Sequence, residues 1–386
     1  MNLPSVLFYV QHLLGIGHLK RAVVLARAMR RAGLKVTLVS GGEAVPVIDS
    51  SGLDLVQLPP TRAADMSFKV LLDENGVPVD DAWRERRRDR LLQVFHATRP
   101  QVVIVELFPF GRRQMRFELT PLLEAAWAAT PRPMVVSSVR DILVEKSDPR
   151  RNREMVDLAL RRFDKVLVHG DPQLIPFDDT FPFARELGER LIYTGYVADD
   201  LTAALPTDVP PRRHGVLVSA GGGAVGDTLL QTALAARPLS RMASEPWRLL
   251  AGDNLSEATF RDLAAQAPAG VVVERARRDF VALMRGAALS ISQGGYNTIV
   301  ELLSTGTPAV VVPYAGGEET EQTIRARLLA KRGLVTVVDA EGLTPEVLAR
   351  AADAAASQKP DTATRPRLDG AGETARIVAG LASVHP

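Results

Sequence analysis

The chain has 386 residues, a formal charge of +2, and 46% hydrophobic against 24% charged residues. This length exceeds one ordinary core and fits two α/β domains, and the composition excludes gross disorder. The small net charge argues against a dedicated nucleic-acid binder. No apolar run approaches the roughly 18 residues that a membrane-spanning helix needs.

The chain contains no cysteine, which removes disulfides, thiolate metal sites and cysteine nucleophiles together. Its first residues, MNLPSVLFYVQHLLG, lack a basic region and a small-residue cleavage site, so they do not resemble a signal peptide. We therefore expect a cytoplasmic protein.

The first half alternates short β-branched runs with longer amphipathic segments, which is typical of a parallel sheet covered by helices. Helical periodicity over 18–33 ends at Gly33, a residue type that suits the position after a helix. Residues 60–83 lack a clear period and predict a long surface loop. The predicted strands are 5–11, 35–40, 53–58, 101–107, 134–139 and 165–170.

The same alternation restarts after a proline-rich segment, 199–215, which we interpret as a domain linker. Thr344, Pro345 and Glu346 form a helix start, with a capping residue, proline and an acid in the first turn. A last helix is predicted over 370–384. The predicted strands of this half are 215–220, 247–252, 271–275, 287–292, 308–314 and 334–339.

These patterns predict an α/β protein of two Rossmann-like, doubly wound domains. We expect an N-terminal domain over 1–205 and a C-terminal domain over 206–386, with the last helix packing on either one, the N-terminal domain included. The carboxyl ends of the strands are expected to face a central cleft, because ligands bind at that edge of open α/β sheets.

Three junctions between a strand and a helix are rich in glycine: 15–18 (GIGH), 221–226 (GGGAVG) and 294–297 (GGYN). Glycine allows the backbone to approach a ligand closely. The helix that follows presents unpaired N–H groups and the positive end of its dipole, so an anion is the natural ligand. Three such junctions in one chain predict a ligand that carries phosphate.

A dinucleotide is one alternative, because Gly221, Gly223 and Gly226 match the Rossmann fingerprint. The acid expected about 20 residues later is poorly placed, since Asp253 ends the next strand too late for the rule. The Walker pattern for nucleoside triphosphates is absent from the sequence. A nicotinamide enzyme therefore remains a minority hypothesis, and NTPase chemistry is disfavoured.

The third junction carries more detail. Gly294 and Gly295 follow a strand, and Asn297 and Thr298 are placed to cap the next helix or to bind phosphate oxygens. Glu301 comes six residues after Gly295, roughly 9 Å along the helix axis. A carboxylate there can accept hydrogen bonds from both hydroxyls of a ribose, although a solvated helix surface is the ordinary place for glutamate.

The segment SQGGYNTIVELLSTGTPAVVVPY, with EETEQ after it, resembles the nucleotide-sugar signature of GT-B glycosyltransferases. It is most similar to the C-terminal domain of the peptidoglycan N-acetylglucosaminyltransferases, glycosyltransferase family 28, and their uncharacterised relatives. The resemblance covers about 214–340, and elsewhere only the first glycine loop and the strand order match. It implies a donor-binding C-terminal domain and an acceptor-binding N-terminal domain.

The resemblance also implies roles for individual residues. Glycine loops hold the donor diphosphate, the helix glutamate binds ribose, an acid/amide pair contacts the donor sugar, and the loop 275–279 contacts the base. Together with the residues of the glycine junctions, the candidate donor-binding residues are Gly15, Gly17, Gly221, Gly222, Gly223, Arg277, Gly294, Gly295, Asn297, Thr298, Glu301, Glu321 and Gln322.

His18, at the end of the first glycine loop, is our candidate general base, because imidazole titrates near neutral pH. Glu106 ends the strand 101–107 and is our candidate for holding the imidazole tautomer. A His18 that caps its helix or contacts phosphate is the alternative. The sequence has no Asp-x-Asp pair and no convincing metal-ligand cluster, so we expect neither a metal ion nor a cofactor.

The predicted reaction is transfer of a hexose-type sugar from a nucleoside-diphosphate sugar, UDP favoured, to a hydroxyl acceptor, with inversion. Such reactions build cell envelopes and other glycoconjugates. The acceptor class stays open between a small molecule, a lipid-linked substrate and a polysaccharide. Alternatives on the same fold are a nucleotide-sugar hydrolase, a 2-epimerase and a non-catalytic nucleotide-sugar-binding protein.

Two stretches combine aromatic and basic residues: Trp83 with 84–90 (RERRRDR), and 108–117 (FPFGRRQMRF). Such surfaces bind anionic lipid, which gives the hypothesis of peripheral contact with the inner face of the membrane. A solvated helix face is the commoner explanation of such a charge run.

Overall fold

The computed structural model describes residues 3–13, 15–46, 48–65, 68–199, 212–220, 226–252, 255–277, 279–314, 320–358 and 366–383. The chain divides into two compact units, Met1–Val197 with Arg367–Pro386 (the first unit) and Ala198–Pro366 (the second unit). The division falls at Val197, earlier than the domain boundary expected at 205. Most of the expected linker lies outside the described residues.

The first unit is built on a parallel sheet of seven strands. The strands are β1 (Ser5–Val10), β2 (Lys35–Ser40), β3 (Asp54–Gln57), β6 (Val102–Glu106), β7 (Met134–Arg140), β8 (Lys165–His169) and β9 (Leu191–Tyr193), with a small antiparallel pair, β4 (Arg62–Ala63) and β5 (Leu71–Leu72). Their order in the sheet is β3-β2-β1-β6-β7-β8-β9. The six predicted strands are confirmed. The prediction missed β9 and the β4–β5 pair because two or three residues show no readable period.

The second unit has a parallel sheet of six strands. They are β10 (Val216–Ser219), β11 (Trp247–Ala251), β12 (Val271–Arg275), β13 (Leu289–Ser292), β14 (Ala309–Val311) and β15 (Thr336–Val337). Their order is β12-β11-β10-β13-β14-β15, and each adjacent pair is parallel. All six predicted strands are confirmed, and the order is that of a doubly wound Rossmann sheet.

Helices follow the strands in both units. The α-helices are α1 (Gly17–Arg31), α2 (Asp81–Thr98), α3 (Arg116–Ala128), α4 (Pro149–Arg162), α5 (Phe177–Thr180), α6 (Asp227–Ala236), α7 (Glu257–Gln266), α8 (Phe280–Gly286), α9 (Tyr296–Thr305), α10 (Glu321–Ala330), α11 (Pro345–Ser357) and α12 (Gly370–Ser383). Short 3-10 helices lie at Arg113–Met115, Pro182–Arg190, Arg237–Leu239 and Ala340–Gly342.

Two helix ends follow their sequence signals closely. After α1, Gly33 has a φ of +84° and donates to the carbonyl of Arg30, while Leu34 donates to that of Met29. These two bonds form a Schellman motif, which needs a residue that tolerates positive φ. At the start of α11, the hydroxyl of Thr344 accepts from the backbone N–H of Val347, as an N-cap should.

The last helix, α12, belongs to the first unit. Its buried residues Ala375, Val378 and Ala382 share one apolar core with α1. A Cβ on Gly370 would lie 2.3 Å from the carbonyl oxygen of Gly195, so only glycine allows this close approach. The second unit is therefore an insertion between Val197 and Arg367 of the first.

Each sheet has one topological switch point, where the strand order reverses. In the first unit this point lies between β1 and β6, and in the second unit between β10 and β13. Ligands of open α/β sheets bind outside the carboxyl ends of the strands at these points. The loops after these four strands are therefore the candidate ligand-binding loops, and they include the three glycine-rich junctions.

Candidate active site

The switch point of the first unit brings His18 and Glu106 together across 88 positions of sequence. Glu106 is the last residue of β6, which pairs with β1, and His18 is the second residue of the helix that follows β1. The His18 Nδ1 lies 2.7 Å from the Glu106 Oε1. This is the pairing predicted for a base and the acid that orients it.

Glu106 is buried, and besides His18 it pairs with a cation. Its Oε1 also accepts a hydrogen bond from the guanidinium of Arg21, which is itself buried. Burial opposes ionisation of Glu106, but His18, Arg21 and Arg112 outweigh it and lower the pKa of Glu106 to about 2. Because the ionised carboxylate can only accept, Nδ1 of His18 carries the proton and Nε2 is left as an acceptor.

The imidazole of His18 is neutral at physiological pH. Burial lowers its pKa to about 3, the charge of Glu106 opposes this, and the charges of Arg112 and Arg140 reinforce it. The side chain is 14% exposed, so a substrate can reach part of the ring. The neutral ring can accept a proton, but its low pKa makes it a weaker base than the near-neutral titration predicted from the sequence.

We expect the His18 ring to stay neutral from pH 8 down to pH 5. Its folded pKa of about 3 lies below the unfolded value near 6.5, so the unfolded chain takes up a proton that the folded chain excludes. Folding stability contributed by this group is therefore full above pH 6.5 and is lost as the pH falls towards 3. Ring ¹⁵N NMR of histidine-labelled protein measures this directly, with His18→Gln to assign the signals. A midpoint near 6.5 contradicts the assignment.

The sequence prediction missed several residues around this pair. Arg21 was visible in principle, because a residue three positions after His18 lies on the same face of a helix. Arg112 was not: its left-handed backbone and the 2.9 Å bond from its Nε to the carbonyl of Gln11 depend on the folded loop. His169 is fully buried, with Nε2 2.8 Å from the Ser138 hydroxyl.

The second unit places a glycine turn at its switch point. Gly294 and Gly295 follow β13, and Gly295 is the N-cap of α9. Since Gly295 has no side chain, the helix begins without a side-chain cap, and the half-buried Asn297 and Thr298 lie inside its first turn. Capping by either residue, one of the two predicted roles, is therefore wrong, which leaves the prediction that they bind phosphate oxygens.

Glu301 lies in the second turn of α9 and is only 6% exposed. The alternative of a solvated surface glutamate is therefore wrong. A buried carboxylate is costly unless it has hydrogen-bond partners. Its position near the start of a helix at the switch point keeps it a candidate for binding a ribose.

Glu321 and Gln322 are the first two residues of α10, and both side chains form hydrogen bonds within the protein. The Glu321 Oε1 lies 2.5 Å from Nη2 of Arg325, and the Oε1 of Gln322 accepts from the backbone N–H of Tyr314 at 3.2 Å. Arg325 is fully buried and also donates to the carbonyl of Gly294 at 3.2 Å. One buried arginine thus ties Glu321 to the glycine turn.

The remaining predicted donor residues are less defined. Arg277 is exposed and forms ion pairs with Asp279 and Glu274 at 2.7 and 3.1 Å. In the first unit, Gly15 is exposed with open space around its α-carbon, and Gly17 begins α1. Gly221, Gly222 and Gly223 lie outside the described residues.

The aromatic part of the surface predicted for lipid contact is wrong. Trp83, Phe108 and Phe110 are 3%, 0% and 1% exposed, so their rings belong to the core. Arg87 is also fully buried and pairs with Glu118, its Nε 2.7 Å from Oε2. The apparent charge run therefore mixes one structural arginine with ordinary surface residues.

Among the helices that the structure describes, none is long and apolar enough to cross a membrane. Within the same described ranges, no group of three or more histidine, cysteine or acidic residues has a geometry that would hold a metal ion.

Comparison with known proteins fits this geometry. Residues 228–377 match the glycosyltransferase family 28 C-terminal domain. An uncharacterized glycosyltransferase of Methanosarcina mazei is 20% identical over 325 residues, 80% of this chain and 79% of that protein. The UDP-N-acetylglucosamine–N-acetylmuramyl-(pentapeptide) pyrophosphoryl-undecaprenol N-acetylglucosamine transferase of Syntrophotalea carbinolica is 31% identical over 138 residues, 34% of this chain and 36% of that one.

A solved structure extends the similarity to the whole fold. MurG of Acinetobacter baumannii superposes with a TM-score of 0.62 at 17% identity, covering 99% of this chain and all of that one. Two doubly wound units together with the matched domain define this chain as a GT-B glycosyltransferase. Within that class it resembles the peptidoglycan N-acetylglucosaminyltransferases, as the sequence signature predicted.

Proposed function

We propose that this protein transfers a hexose-type sugar from a nucleoside-diphosphate sugar, UDP favoured, to a hydroxyl acceptor, with inversion and without a metal ion. The observation that carries the proposal is the hydrogen bond between His18 and an ionised Glu106 at the switch point of the first unit. The preference for UDP rests on the relative from Syntrophotalea carbinolica, whose name specifies a UDP-linked donor. A cytoplasmic location stays part of this proposal.

In the proposed reaction, the acceptor hydroxyl oxygen attacks the anomeric carbon from the face opposite the diphosphate. Its proton passes to Nε2 of His18, and Glu106 stabilises the imidazolium that forms. The bond between the anomeric carbon and the diphosphate oxygen breaks, and the nucleoside diphosphate leaves with the electron pair. Backbone N–H groups at the start of α9 stabilise the charge of this leaving group.

The second unit supplies the proposed donor site. Gly294 and Gly295 hold the diphosphate at the uncapped start of α9, and Glu301 accepts from the ribose hydroxyls. Glu321 and Gln322 contact the donor sugar, with Arg325 holding Glu321 against the glycine turn. Arg277 and its loop, 275–279, contact the nucleobase of the donor. The support for this arrangement is the position of β13 and α9 at the switch point.

Glu301→Ala is expected to weaken nucleotide binding by about 10–100-fold, because a charge-assisted hydrogen bond contributes about 1.5–3 kcal/mol. Titration calorimetry with UDP measures the loss. Asp262→Ala, which removes an exposed acid from α7 of the same unit, is the matched control and should bind as the parent does. Unchanged affinity in Glu301→Ala would remove the ribose assignment.

The proposal as a whole is tested first by thermal shift against UDP, GDP, dTDP, CMP, NAD and several nucleotide sugars, because binding to the folded state raises the melting temperature. The nucleotide sugar that raises the melting temperature is then assayed as a donor for sugar transfer to hydroxyl acceptors, with and without a chelator. Transfer that persists with the chelator supports the proposal. Free sugar or an isomer without any acceptor would indicate a hydrolase or an epimerase, and a shift with NAD alone would overturn the donor assignment.

A further inference from the structure

Arg21 and His18 converge on one carboxylate oxygen. They lie three residues apart on α1, so both side chains leave the same face of the helix. Oε1 of Glu106 accepts from Nδ1 of His18 and from Nη2 of Arg21. The Arg21 and Glu106 side chains are each 1% exposed, which makes this an ion pair of the protein interior.

Burial alone would neutralise Glu106. A carboxyl group removed from water takes up a proton unless a cation compensates, because the charged form is the one that loses hydration. A protonated Glu106 would donate through its own hydrogen and would no longer fix the proton on Nδ1 of His18. The orientation of His18 therefore depends on whatever keeps Glu106 ionised.

Several charged and titratable groups surround this carboxylate, from α1, the loop after β6 and the ends of β7 and β8. They are His18, Arg21, Arg112, Arg140 and His169. Among these arginines, Arg21 makes a direct hydrogen bond to Glu106, whereas Arg112 directs its Nε to the carbonyl of Gln11. Arg21 is thus a short-range partner of Glu106 besides His18.

We propose that Arg21 is a positioning residue for the transfer reaction: it keeps Glu106 ionised and directs its Oε1 at Nδ1 of His18, so that Nε2 faces the acceptor hydroxyl as a base. Arg21 acts through Glu106 and does not contact the substrate. This inference rests on the proposed function for its effect on catalysis, but its effect on the His18–Glu106 pair is independent of any substrate.

The test compares full-length Arg21→Met, Arg21→Lys and Arg27→Met by ring ¹⁵N NMR and by transfer rate between pH 5 and pH 8. Removing the cation makes proton uptake by the His18–Glu106 pair easier, so Arg21→Met should show a titration inside this range where the parent shows none. Its transfer rate should fall about 10²-fold, as expected when a catalytic group is misplaced, and most at acid pH. Arg21→Lys keeps the charge and should restore most of both properties.

Arg27 lies on the same helix and pairs with Asp49 at the surface, so Arg27→Met should behave as the parent. If Arg21→Met is too unstable to study, Arg21→Met in a Glu106→Gln background should transfer as Glu106→Gln alone, because Arg21 acts through that carboxylate. A flat NMR titration in Arg21→Met, or a rate loss equal at every pH, would overturn the proposal. If Arg21→Met titrates as expected but the parent protein shows no transferase activity, the positioning role stands and the proposed function is contradicted instead.

Discussion

His18→Ala is expected to lower the turnover number about 10²–10⁴-fold, the range that a general base typically contributes. The variant loses the atom that takes the acceptor proton, while Glu106 keeps its bond to Arg21. Donor affinity should hardly change, because the proposed donor groups other than Gly15 and Gly17 lie in the second unit, and the substitution leaves both glycines in place. Turnover therefore falls while nucleotide binding persists, which separates loss of a base from loss of a binding residue.

Initial rates with saturating donor, and calorimetry with the nucleoside diphosphate, measure these two quantities. His96→Ala is the control, since His96 is an exposed histidine on α2, and it should retain full turnover. Glu106→Gln should fall between the parent and His18→Ala, because the base remains but its tautomer is no longer fixed. Turnover within a few fold of the parent in His18→Ala would show that another group takes the proton.

Arg87→Met is expected to destabilise the first unit by about 3–5 kcal/mol, the cost of leaving one charge of a buried pair without its partner. Arg87 and Glu118 are both fully buried and share two hydrogen bonds, at 2.7 and 3.0 Å. Arg87 also donates to the carbonyls of Gly41 and Pro59. Its removal thus leaves the buried Glu118 carboxylate without its cation and takes a donor from each of the two backbone carbonyls.

Thermal unfolding should register this change as a drop of roughly 10 °C in the melting temperature, at about 2–4 °C per kcal/mol for a unit of this size. Arg88→Met, at the next position of α2, removes a surface pair with Asp89 and should change little. The double variant Arg87→Met with Glu118→Leu should recover part of the loss, because no unpaired charge then remains. Equal stability of the Arg87 and Arg88 variants would contradict the argument.

Much of the fold follows from local sequence, because strands buried on both faces of a parallel sheet must be nearly continuous apolar runs. β1, β6 and β13 show this pattern plainly, and the glycine after α1 marks its end. The short strands β4, β5 and β9 could not be read, since their pairing depends on neighbours distant in the sequence. The sequence also left open which unit the last helix packs on, because the return of α12 leaves no local mark.

The candidate site was predicted unevenly for a physical reason. His18 follows the central strand β1, and Glu106 ends the neighbouring strand β6. The carboxyl ends of parallel strands meet at one edge of the sheet, so topology alone places the two residues together. The burial of Trp83 and Arg87 was not predictable, because an arginine inside a charged run has the same local pattern whether it faces solvent or a buried glutamate. Arg21 and Arg112 likewise acquire their roles from contacts across the fold.

The return of α12 to the first unit has a consequence for biosynthesis. Translation delivers residues 370–383 after the whole of the second unit, so the part of α1 that packs on α12 stays uncovered while Ala198–Pro366 emerges. At about 5–20 residues per second this interval lasts roughly 10–30 s. The second unit can therefore finish folding on the ribosome first, and the segment that begins the chain is among the last to reach its native state.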